Sequence, residues 1–197
     1  MDARLQAKKG LKLMRFTIRL VVVLGLFLGS AIPASAQGKV SGSVEVQNVL
    51  SESGVVPQLD AYVHGPLSGK IGWTVWMLVS KSWSEGLFGV TYAPAKWIEV
   101  SASAGLESNK SPFRGAASIW MGSGKYSFVS LHEKGGSGRW MKNVATYEVN
   151  KTLTVGVLQQ SFVGVGPYAA VKVGRMTIWG AYAVADDRGL LTAKFTF

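Results

Sequence analysis

The sequence predicts an all-β fold, a transmembrane, antiparallel, up-and-down β-barrel of about twelve strands over residues 37–197. Three observations predict it. An export-type leader precedes the domain. Apolar residues recur with a period near two from Val40 to the end, and the opposite face is built from Gly, Ser, Thr and Ala rather than from charged residues. A strand buried on one side repeats its apolar set at every second position, whereas a helix spaces it at three and four. A soluble sandwich alternates too, but its second face meets water and is rich in Lys, Glu and Arg. Here only 16% of the chain is charged and 24 residues are Gly, against about a quarter charged in an ordinary soluble domain. The apolar face is therefore the outer one. The small polar face lines a narrow closed sheet, which leaves no edge unpaired in lipid.

The leader comes first along the chain. Arg4, Lys8, Lys9, Lys12, Arg15 and Arg19 make a basic segment with Asp2 as its one acid, and residues 20–28 follow as an apolar stretch. Gly29, Ser30 and Pro33 interrupt that stretch before it reaches the ~20 residues of a spanning helix. Ala34-Ser35-Ala36 has the small-x-small pattern that a signal peptidase cuts, so residues 1–36 are expected to be a signal peptide cleaved after Ala36. The formal net charge of +10 is shared between leader and domain, which removes the argument for a nucleic-acid partner. With no Cys, disulfides, thiol catalysis and Cys-based metal sites are excluded, and two His do not make a multi-His metal centre. No cofactor is implied.

Four runs show the alternation most clearly. Ile71, Trp73, Val75, Met77 and Val79 face one way and Gly72, Thr74, Trp76, Leu78 and Ser80 the other. The same pattern holds for Ile98–Leu106, Leu153–Leu158 and Leu191–Phe197. Breaks rich in Gly, Pro, Asn, Asp or Ser fall at 51–57, 65–69, 80–86, 94–96, 107–114, 122–125, 133–139, 150–152, 161–166, 174–175 and 185–190. Eleven breaks imply twelve strands, with longer and shorter connections alternating and both termini on the short-turn side. Ten strands would follow if the weak runs near 84–92 or 114–122 failed to pair, and eight would need long polar loops. Tyr92, Tyr126, Tyr147 and Trp73 fall near strand ends, where amphipathic rings favour the headgroup level.

The chain ends on Phe197, with Phe195, Ala193 and Leu191 at alternate positions before it. An aromatic terminus on an amphipathic last strand resembles the assembly signal of the bacterial outer-membrane β-barrel superfamily, small porin-like or structural barrels among them. Gly189 lies further upstream than that signal usually places its glycine. The resemblance implies the outer membrane of a Gram-negative-type bacterium, outer-membrane lipids as the surroundings, and the barrel assembly machinery as a partner that reads Leu191, Phe195 and Phe197. The oligomeric state is left open.

With apolar parity outward, Glu45, Asp60, Glu99, Lys142, Glu148, Lys172 and Lys194 point into the lumen and are the candidate pore-lining residues. Two readings of them stand. They pair with one another, because a lone charge in a narrow interior is costly, or they set a transverse field and an ion preference in a wet pore. Trp76, Trp97, Trp120 and Trp179 share the inward parity and would fill part of the lumen. His64 falls on the face of Asp60 and Tyr62. The expected function is a narrow passive channel for small hydrophilic solutes or a membrane-structural protein, without catalysis.

An alternative is a lipid-modifying acyl hydrolase using Ser130 and His132, with Glu133 or Glu148 nearby. Residues two apart on a strand share a face, and an outward Ser–His pair resembles outer-membrane enzymes that remove acyl chains. A surface-binding barrel is the third reading, disfavoured by short loops. Gly135-Gly136-Ser137-Gly138 lacks the Lys of a phosphate-binding loop and reads as an outer turn. Lys110, Arg114, Lys134, Arg139 and Arg188 fall in or near the outer loops as a basic rim or as solvated surface.

Overall fold

The structure, a computed structural model, describes residues 39–197, so the expected signal peptide and its cleavage after Ala36 lie outside the described residues. Twelve strands follow in order: β1 (Ser41–Ser51), β2 (Gly54–Ser68), β3 (Ile71–Ser80), β4 (Ser84–Ala95), β5 (Ile98–Glu107), β6 (Phe113–Ser123), β7 (Tyr126–Gly135), β8 (Gly138–Glu148), β9 (Leu153–Gln160), β10 (Gly164–Val173), β11 (Met176–Ala183) and β12 (Arg188–Thr196). Each pairs antiparallel with its chain neighbours, and β1 pairs with β12 to close the barrel. The seam ends in two backbone bonds: Phe197 N–H donates to the Gly42 carbonyl at 3.0 Å, and Gly42 N–H to the Phe197 carbonyl at 3.1 Å. The weak runs near 84–92 and 114–122 are fully paired strands, β4 and β6.

The alternation decides which way each side chain points. Val46, Leu59, Phe88, Val90, Val157, Leu191 and Phe195 are outward and exposed. Ser43, Gln47, Thr74, Thr91, Gln160 and Thr192 are inward and buried. An outer apolar band around a polar interior inverts the soluble pattern and suits lipid. Tyr92, Tyr126 and Tyr147 are exposed on the outer face close to the short-turn end, and the Tyr126 and Tyr147 rings lie 5.1 Å apart. Trp97, expected in the lumen, sits instead in the two-residue turn 96–97 and is exposed. A strand parity carried one residue too far put it inside.

Turns at the two ends differ in chemistry more than in length. Gly69, Gly124 and Gly174 have φ of 56°, 58° and 62°, the left-handed region that glycine enters without strain. Each is followed by a cation, Lys70, Lys125 or Arg175. The opposite, outer end carries connections 52–53, 81–83, 108–112, 136–137, 161–163 and 184–187, the last containing a 3-10 turn over Val184–Asp186. Every connection is short, so the barrel has almost no projecting loop surface.

Gly105 shows why small residues line the inside. A Cβ there would overlap the Gly86 carbonyl oxygen of the neighbouring strand and come within 2.8 Å of Leu87 Cα. Gly105→Val is therefore expected to cost about 1–3 kcal/mol, the usual penalty of overpacking. A shift of the urea midpoint in detergent measures it, and an unchanged midpoint would mean that the wall can bulge.

Candidate functional site in the barrel lumen

The inner face lines a cavity of about 1540 Å³ that extends from Ser82, Trp83 and Phe162 at the outer end to Lys96 and Lys151 of the opposite turns. Glu45, Asp60, Glu99, Lys142, Glu148, Lys172 and Lys194 all line it. The register brings three of them side by side: Asp60 on β2 faces Glu45 on β1, which faces Lys194 on β12. Lys194 Nζ lies 3.0 Å from Glu45 Oε1, and Gln47 Nε2 donates to Glu45 Oε2 at 3.3 Å. Asp60 takes a different partner, accepting from Trp76 Nε1 with both oxygens at 3.1 Å. His64 does not pair with it; its ring stacks on Tyr62 at 5.3 Å.

Across the lumen, Lys142 on β8 lies over the Trp179 ring at 5.0 Å, close enough to act electrostatically on Glu45 and Asp60. Trp179 in turn packs on Tyr168, with centroids 5.5 Å apart, and is buried. Trp76 and Trp179 thus narrow the lumen from opposite sides of this charged belt. Trp120 lies near the other end, donating to Ser127 Oγ at 3.1 Å. Of the seven charges read from the sequence, Glu45 and Lys194 form an ion pair. Glu99, Lys142, Glu148 and Lys172 have no ion pair within 4.0 Å among the described residues. Unpaired charges facing a cavity are hydrated, so pairing accounts for part of the set only.

The outer end holds a second cluster that the sequence did not reveal. Arg114, expected in or near an outer loop, is the second residue of β6, points inward and is buried among Glu85 on β4, Glu107 on β5 and Glu133 on β7. Arg114 Nη1 lies 2.6 Å from Glu107 Oε2 and Nη2 lies 2.6 Å from Glu133 Oε2. Glu85 Oε2 approaches Nε to 2.7 Å, but that N–H is directed at Glu133, so the Glu85 oxygen makes a charge contact without a hydrogen bond. Ser137 closes the arrangement: its N–H and hydroxyl donate to the Glu107 carboxylate at 2.7 and 2.8 Å. Treating 107–114 and 133–139 as loops hid the cluster. The inward parity of Ser101 and Ser103, continued along β5, arrives at Glu107 and was the available signal.

Ser130 and His132 lie on the outer face of β7, with Ser130 Oγ 3.0 Å from His132 Nε2. The acids considered as orienting groups are elsewhere: Glu133 is bound to Arg114, and Glu148 lines the lumen. Asn143, directly opposite Ser130, donates to Gln159 at 3.0 Å rather than to the imidazole. Among the described residues, none of these three groups orients the His132 imidazole.

The KdgM porin superposes with a TM-score of 0.55 at 10% identity, covering 79% of this chain and 99% of that one. The fold is porin-like. A second solved structure, the KdgM porin in complex with disordered oligogalacturonate, also gives 0.55, at 11% identity and with the same coverage. The NanC porin in a rhombohedral crystal form overlaps more loosely, at 0.44 and 8% identity. No protein-family model matches the sequence, and no curated protein matches it. At these identities the porin likeness is one of fold, and the lumen residues must carry the functional argument themselves.

Proposed function

We propose that this chain is a passive channel of the bacterial outer membrane for small hydrophilic solutes, acting without catalysis. One observation carries the proposal: a cavity runs the length of a closed, outwardly apolar barrel, and its wall carries polar and charged groups, several of them without an ion pair among the described residues, between apolar ones. A structural barrel would gain stability by filling that space with apolar side chains. The indoles of Trp76 and Trp179 narrow the path and suit it to small solutes.

The charge balance bears on solute class. The cavity is lined by Glu45, Asp60, Glu85, Glu99, Glu133 and Glu148 against Lys96, Arg114, Lys142, Lys151, Lys172 and Lys194, with Arg139 exposed at its outer mouth. Acids and bases on the wall are therefore nearly balanced. A nearly neutral wall with alternating charges suits small neutral hydrophilic solutes, which meet no net repulsion there. Outer-membrane lipids surround the barrel, and the terminal strand with Leu191, Phe195 and Phe197 on its outer face is offered to the assembly machinery.

The test is single-channel recording of the refolded mature chain in a planar bilayer. Reproducible conductance steps are expected. Silence from a correctly folded, heat-modifiable barrel would reject the channel and favour a membrane-structural role.

A further inference from the structure

The Arg114 cluster has an effect on the outer surface. Between residues 108 and 139 the only acid is Glu133, and it is buried on Arg114. Glu85 and Glu107 are likewise drawn inward. Among the described residues, the exposed charges of the outer rim over β3–β8 are therefore cations: Lys81, Lys110, Lys134 and Arg139. The exposed acids of the outer end, Glu52, Asp186 and Asp187, lie on the other arc, over β1–β2 and β11–β12.

Directly below the cationic arc, the outer wall is recessed. A shallow groove of about 550 Å³ lies on β6 and β7, lined by Phe113, Gly115, Ala116, Ala117, Lys134 and Gly135. Gly115 faces Lys134 across the strand pair, and Ala117 faces His132, which bonds Ser130. Proceeding from the rim, the surface thus offers cations, then an exposed aromatic ring at Phe113, then a trough floored by Gly and Ala. This is the order of chemistry along an anionic amphiphile, headgroup first and acyl chain after.

We propose that this corner of the barrel is a docking site for a phosphate-bearing lipid of the outer leaflet. Lys110, Lys134 and Arg139 hold the phosphate, and one acyl chain lies in the groove over Gly115 and Ala117. The site rests on the transmembrane placement of the barrel but not on an open lumen. Guanidinium and ammonium groups suit phosphate oxygens, and clustered cations at a membrane surface add to lipid affinity roughly in proportion to their number.

Native mass spectrometry of the mature barrel in maltoside micelles tests it, with bis-phosphorylated lipid A, diacylglycerol and inorganic phosphate as probes. Lipid A is expected to be retained, and the other two not, because each offers half of the recognised chemistry. Lys110→Gln/Lys134→Gln/Arg139→Gln is expected to weaken retention about tenfold or more. Gly115→Leu, which fills the trough, should weaken it comparably. Its added Cβ would meet only the Ser103 carbonyl oxygen, at an ordinary 3.8 Å, so the fold should tolerate it. Lys70→Gln/Lys125→Gln, removing charge at the opposite end, should change nothing. Unchanged lipid A retention in both test variants, or equal retention of diacylglycerol, overturns the site. A chain that remained soluble without detergent would instead overturn the transmembrane placement.

Discussion

Arg114→Met is expected to be the most destabilising single substitution on the inner face, costing about 3–5 kcal/mol, as breaking a buried ion pair does. The reason is what it leaves behind. Glu85, Glu107 and Glu133 come from three strands and converge on one guanidinium, and the side chains of Glu107 and Glu133 are 0% exposed. Without Arg114 they would be three buried carboxylates with Ser137 as the remaining donor to one of them. The loss should appear as a lower urea midpoint in detergent, and it should shrink in acid as protonation neutralises the stranded carboxylates. A companion variant separates the missing arginine from the stranded charge. Adding Glu85→Gln, Glu107→Gln and Glu133→Gln to Arg114→Met should recover much of the loss, because replacing every member of a buried charged set costs far less than removing one. Equal stability of Arg114→Met and the parent would show that the cluster is hydrated.

The same residues show where the sequence was legible. Period-two alternation is a local signal, and it located twelve strands because lipid outside and a packed lumen inside demand it at every position. The same alternation puts Glu45 and Lys194 on one parity without any knowledge of register. What it lacked was the register itself. That Glu45 pairs with Lys194 while Asp60 pairs with Trp76 depends on how β1 sits against β12 and β2, and no local spacing encodes that. Arg114 was misplaced for a different reason. Its surroundings, Ser111-Pro112 before and Gly115 after, have the composition of a turn, and turn composition conceals a charge whose partners lie on other strands.

The second large effect concerns conduction. At the belt formed by Glu45, Asp60, Lys142 and Lys194, one cation is already neutralised by Glu45, leaving Lys142 to offset Asp60. Lys142→Glu therefore turns a balanced constriction into an acidic one. A unit charge 4 Å from a permeating ion contributes about 1 kcal/mol in bulk water and about 4 kcal/mol in a protein-surface environment. Reversal doubles that change, so the cation-to-anion permeability ratio should rise about tenfold or more, tenfold being about 1.4 kcal/mol. Lys172→Glu, nearer the short turns and away from the indoles, should have a smaller effect. Trp179→Ala distinguishes field from width: removing the ring beneath Lys142 should raise conductance about twofold by opening the path, while leaving the preference near that of the parent. Reversal potentials in a salt gradient give the first quantity and step size the second. If Lys142→Glu moves neither, ions do not pass the belt, and the channel proposal fails at its narrowest point.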